Sequence, residues 1–163
     1  MDLFLSFDGR IARAQWWIGT IALVVAMFIL SFVIAGIFGT GTLGGLVTLL
    51  LSLAVLYPVV ALATKRLADR GKPAMPRVAL FYAPGLLSSV MATFGIGYRP
   101  MDMGQLGGQM GGIPMQGAET FMVPGLFATI IGFITLVAFF WALIELGILK
   151  GDEQANAYGP PPA

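Results

Sequence analysis

Between Arg13 and Lys65 the chain reads Ala14-Gln15-Trp16-Trp17-Ile18-Gly19-Thr20, continues through Gly36-Ile37-Phe38-Gly39-Thr40-Gly41-Thr42-Leu43-Gly44-Gly45, and closes on Val59-Val60-Ala61-Leu62-Ala63-Thr64 without one charged residue. A membrane span needs about 20 apolar residues. This stretch therefore holds two spans, about 16–38 and 43–64, with a Gly/Thr-rich turn between them. Two further uncharged runs follow. Residues 78–98 contain Pro84-Gly85, and residues 121–149 are interrupted only by Glu145. Pro58 and Pro84 predict bends in the second and third spans. The fold class is all-α, an integral membrane four-helix bundle.

Composition agrees. Of the 163 residues, 58% are hydrophobic and 10% charged, and the mean hydropathy is +0.89. A soluble domain carries roughly 25% charged residues. Arg10, Arg13, Lys65, Arg66, Arg70, Lys72, Arg77 and Lys150 fall in three segments separated by an even number of spans, and only Arg99 lies elsewhere. Basic segments stay on the cytoplasmic side, which predicts cytoplasmic N and C termini. The net charge of +1 gives no reason to expect nucleic acid. On the predicted inner face those cations meet Asp2, Asp8, Asp69, Asp152 and Glu153. The surplus suits anionic headgroups, at about 1 kcal/mol per basic residue near the surface. The opening Met1-Asp2-Leu3-Phe4-Leu5-Ser6-Phe7-Asp8 lacks a basic n-region, so no cleaved signal is expected.

Three segments gather polar residues on that face. The first, Phe7-Asp8-Gly9-Arg10-Ile11-Ala12-Arg13-Ala14-Gln15-Trp16-Trp17, puts Arg10, Arg13 and Trp17 on one face if helical from Arg10. Phe4, Phe7 and Ile11 supply apolar contacts near the membrane plane, and the Trp pair suits the interfacial belt. This segment reads either as an interfacial anchor or as half of a polar site. In the second, Lys65-Arg66-Leu67-Ala68-Asp69-Arg70-Gly71-Lys72-Pro73, Arg66 lies one helical turn from Asp69 and Arg70. Asp69 is placed to pair with Arg66 or with an Arg of the first segment, and Gly71 and Pro73 end the helix. The third, Gly151-Asp152-Glu153-Gln154-Ala155-Asn156-Ala157-Tyr158, brings two acids and an Asn–Tyr pair to the same face in an extended tail over 151–163. Opposite charges meeting there would close a polar cap.

The pattern Phe7, Gly9, Arg10, Arg13, Trp16, then Arg66-Leu67-x-Asp69, then Asn156-x-Tyr158-Gly159-x-Pro161, resembles the small bacterial inner-membrane proteins grouped as domain of unknown function 805. The resemblance implies the four-span topology and brings no mechanism with it. The family usually has His where this chain has Ala68. It usually has a Ser-Gly-Trp-Trp-like run where this chain has Ala74-Met75-Pro76-Arg77.

The chemistry available is limited. The chain has no Cys and no His, which removes disulfides, thiol nucleophiles, imidazole bases and the usual zinc ligands. Asp69, Glu145, Ser88 and Ser89 offer no nucleophile–base pair, so no enzyme and no cofactor are expected. Met101, Met103, Met110, Met115 and Met122 are soft ligands compatible with weak Cu(I) binding, but read more simply as an apolar loop, so no metal is assigned. Residues 99–120 are low in complexity and predict a mobile outer loop. Ala128-x-x-x-Gly132 offers a close helix contact in the fourth span.

Two functional readings remain. In the leading one, Arg10, Arg13, Arg66, Asp69, Arg70, Asp152, Asn156 and Tyr158 form a cytoplasmic cap. That cap either stabilises the bundle or binds an anionic lipid headgroup or a partner. The partners implied are membrane lipids, a second copy of the chain or another membrane protein. The alternative is a small oligomeric transporter or channel using Glu145, the only acid within a span.

Overall fold

A computed structural model describes residues 3–102 and 120–162. Among the described residues, four helices are long and apolar enough to cross a membrane. They are α1 (Arg13–Phe38), α2 (Thr42–Asp69), α3 (Arg77–Phe94) and α4 (Leu126–Ala142), the last extended by a π-helical segment, Leu143–Ile148. A two-stranded antiparallel ladder, β1 (Tyr98–Asp102) and β2 (Thr120–Pro124), joins α3 to α4, with Tyr98 opposite Pro124 and Asp102 opposite Thr120.

The first expected helix start is displaced. Helix α1 begins at Arg13, not Arg10, because Gly9 has φ 91° and Ala12 is extended at φ −67°, ψ 159°. The Gln15 side chain reaches back to the Ala12 N–H at 2.9 Å, satisfying one orphan donor of the first turn. Arg10 and Arg13 therefore do not share a helical face. At the end of α2, Gly71 takes φ 64°, and its N–H bonds the Ala68 carbonyl while that of Lys72 bonds Leu67. This paired closure stops the helix in the polar segment.

The third and fourth spans are also shorter than expected. Gly95 and Gly97 have φ 66° and 77°, so α3 stops at Phe94 and residues 98–102 become a strand. Residues 120–124 pair with that strand, and α4 starts only at Leu126. The ends of the expected outer loop are thus a ladder; residues 103–119 lie outside the described part. Pro58 and Pro84 sit inside helices that run on past them.

α1 packs along α2, α2 along α3 and α3 along α4, whereas α1 meets the fourth helix chiefly at the π segment. Apolar area drives little association in lipid, so small residues and polar bonds must do more. Gly19, Ala61, Ala63, Ala138 and Ala142 are buried at these contacts. Gly132 is not among them, since a Cβ there would meet nothing within 4 Å. The buried core gathers at one end of the bundle, where Ile11, Trp16, Leu62, Leu67, Val78, Phe81 and Leu146 pack together. That end, called the cap end below, holds the starts of α1 and α3 and the ends of α2 and the π segment.

Candidate functional site: the polar cluster at the cap end

Among the described residues five charged side chains are buried, namely Arg10, Lys65, Arg66, Asp69 and Glu145, and all belong to the cap end. Buried charge must be paired and hydrogen-bonded to be tolerated. Asp69 is the centre. Its Oδ1 accepts from the Arg10 Nε at 3.2 Å, and its Oδ2 is bonded by the Arg66 Nη1 one turn earlier on α2.

Arg10 makes five hydrogen bonds, which is the full donor capacity of a guanidinium. Besides Nε to Asp69, Nη1 donates to the carbonyls of Gln154 and Gly159, both at 2.9 Å. Nη2 donates to the carbonyls of Asp69 at 3.3 Å and Asp152 at 2.5 Å. The tail is thus held by its backbone and not, as its charges suggested, by its acids. The Asp152 carboxylate instead accepts from Asn156 Nδ2 at 2.8 Å, and Asn156 also donates to the Ala68 carbonyl at 3.0 Å. The Asp152 N–H donates to the Asp69 carbonyl at 2.8 Å. Tyr158 contributes its N–H to the Asn156 side chain, while its ring stays half exposed. The tail therefore folds back through an Asn156–Gly159 bridge instead of extending away.

The π segment is the second half of the cluster. A helix with i→i+5 bonding leaves five terminal carbonyls without partners, one more than an α-helix. The Ile144 carbonyl is taken by the Leu149 N–H at 3.1 Å. Each of the next five carbonyls accepts from a side chain of α1, of α2 or of Arg70 just beyond α2. Glu145 is met by Arg70 at 2.8 Å, Leu146 by Arg66 Nε at 2.9 Å and Gly147 by the Trp17 indole at 3.1 Å. Ile148 is met by Arg13 at 3.1 Å and Leu149 by Arg66 Nη2 at 2.6 Å. Cationic donors at the negative end of a helix dipole add a favourable electrostatic contribution.

Glu145 lies inside the segment and points back to the same end. Its Oε1 is 2.5 Å from Arg70 Nη1 and 2.6 Å from Lys72 Nζ. Lys72, which topology alone would account for, is therefore part of the cluster. The Arg70 Nε is the one buried side-chain polar atom without a partner among the described residues.

Two glycines escaped sequence reasoning. A Cβ on Gly147 would lie 2.9 Å from the rings of both Trp16 and Trp17, and one on Gly151 would collide with the Asp69 carboxylate. The signal was present as a Gly–x–x–x–Gly spacing bracketing the helix end. Of the Arg and Trp residues in the N-terminal segment, Arg13 and Trp17 are the ones that cap the end of the π segment.

A recess of about 520 Å³ lies beside the cluster, lined by Phe7, Asp8, Gly9, Ala68, Lys72 and Tyr158. Among the described residues no group of three or more acidic side chains is placed to hold a metal ion. Met101 and Met122 flank the ladder on opposite strands, and Met103, Met110 and Met115 lie outside the described residues.

No curated protein and no solved structure matches the chain. A family model described as protein of unknown function (DUF805) matches residues 4–160, from the segment that carries Arg10 to the tail that Arg10 binds, so the chain belongs to that family.

Proposed function

We propose that this is a non-catalytic, multi-pass protein of the bacterial inner membrane, with the cap end cytoplasmic, and that its polar cluster is a lock fastening both chain ends to the α2–α3 turn. The observation that carries the reading is the saturation of Arg10. All five of its donors are spent on protein acceptors, so it keeps none for an outside anion. The carbonyls of residues 145–149 support the same reading, because each accepts from a side chain of α1, of α2 or of Arg70 just beyond α2. Glu145, paired with Arg70 and Lys72, has a structural task that does not require proton or ion movement.

Arg10→Gln is the test, read by size-exclusion monodispersity in detergent and by the co-purifying lipid. A lock predicts loss of folded protein. A variant that folds normally but has lost bound lipid would make Arg10 a headgroup site and sink the reading. For the alternative, ion or solute flux in proteoliposomes that Glu145→Gln abolishes would establish a transporter. The orientation is tested by single-Cys labelling, which the cysteine-free chain makes clean. A cysteine at position 150 should label only from the inside and one at position 99 only from the outside.

A further inference from the structure

An apolar groove of about 880 Å³ opens above the cap-end core, where α1 stands apart from α4. Its walls are residues 16–35 of α1, 52–62 of α2, 81–89 of α3 and 135–143 of α4 and the π segment. Val24, Phe28, Phe32 and Phe139 line it and are still more than half exposed, so it opens sideways into the surrounding hydrocarbon. Three hydroxyls of the lining are turned away from any ligand. Ser52, Ser89 and Thr135 donate to the carbonyls four residues earlier in their own helices.

The dimensions limit the occupant. The α2, α3 and α4 walls cover nine to eleven residues each, about 12–15 Å at 1.5 Å per residue. That is half of the roughly 30 Å hydrocarbon core, the depth of one leaflet. Over that length the volume gives a mean cross-section of about 60–75 Å², and the α1 wall reaches further, over residues 16–35. Narrow, flexible alkyl chains can fill a recess of that shape, and its cap-end rim decides which molecule carries them.

The mouth supplies the headgroup contact. Arg13, Trp16 or Trp17, Thr20 and Val24 follow one another on a single face of α1, so Arg13 stands at the cap-end rim of the groove wall. It is exposed and spends one N–H, on the Ile148 carbonyl. Among the described residues no carboxylate pairs with it. Lys150, exposed and likewise without an ion pair, follows two residues after Ile148. Two cations at the rim and Trp residues at interfacial depth match an anionic phosphodiester headgroup. We infer that the groove holds the acyl chains of an anionic phospholipid from the cap-side leaflet, with its phosphate on Arg13 and Lys150.

The test is native mass spectrometry of delipidated protein in detergent, titrated separately with dioleoyl phosphatidylglycerol and dioleoyl phosphatidylcholine. The expected result is saturable uptake of one or two phosphatidylglycerol molecules, with phosphatidylcholine weaker. R13Q should weaken phosphatidylglycerol about fivefold, the contribution of one interfacial cation, and leave phosphatidylcholine unchanged. S52F, which fills the groove, should weaken both lipids alike; T20F does the same from another wall if S52F fails to fold. Equal uptake of the two lipids by the wild type, uptake that never saturates, or an unaltered R13Q overturns the inference. Since Arg10 takes no part, failure here leaves the lock standing, and failure of the lock in R10Q leaves this groove standing.

Discussion

Arg10 and Asp69, fifty-nine positions apart, form a buried ion pair at 3.1 Å in which both residues are 3% exposed. Asp69 also holds Arg66, so a single carboxylate balances two guanidinium groups from different segments. The arrangement makes the N-terminal segment, the end of α2 and the tail interdependent.

Asp69→Asn tests that balance. The amide keeps the shape but leaves two buried cations without their counter-charge. Breaking a buried pair by removing one partner costs about 3–5 kcal/mol. The expected outcome is a large fall in the thermal midpoint in detergent, followed by circular dichroism. A midpoint within a degree or two of wild type would show that the pair contributes little.

Gly151→Ala tests the same site from the tail. A Cβ there runs into the Asp69 carboxylate, whereas at Gly159 a Cβ meets nothing but φ is 118°. Gly159→Ala should therefore cost only backbone strain, about 1–3 kcal/mol. Gly151→Ala, which carries no such backbone strain, should instead raise hydrogen exchange in residues 3–12, because Arg10 loses its fixed acceptor. Equal exchange in the two variants would contradict this.

Trp17→Phe removes one donor and keeps the ring. The Gly147 carbonyl is then unpaired at a buried position, a loss of about 1–3 kcal/mol. Trp17→Leu, which loses the ring as well, should cost more. If Phe and wild type melt together, the indole bond is dispensable.

Much of this is legible in the amino-acid sequence. Charge-free length gave the four helices, and Arg66 three residues before Asp69 on a continuing helix gave their pairing. The shorter third and fourth spans were hidden because an apolar strand and an apolar helix read alike over residues 121–124. What fixes them is the positive φ of Gly95 and Gly97 and pairing across the ladder. Arg10 was misplaced on a helical face because Ala12 gives no cue for an extended cap. The π segment had no local signature either. Its widening is stabilised by donors from α1 and α2, which only tertiary structure supplies.

Glu145 separates structure from transport. Its carboxylate sits with Arg70 and Lys72, Arg70 being largely buried and Lys72 about one-third exposed on the side chain. The Arg70 contact should carry most of the energy, since exposed pairs contribute only about 0–1 kcal/mol. Glu145→Gln should therefore lower the thermal midpoint, whereas Lys72→Gln should leave it nearly unchanged. A structural Glu145 also predicts that a fully folded population of the Gln variant, selected by size exclusion, matches wild type in any flux measured in proteoliposomes. If flux is present in wild type and absent in that folded variant, the carboxylate is working on a permeating ion or proton, and the ion pairs serve to position it.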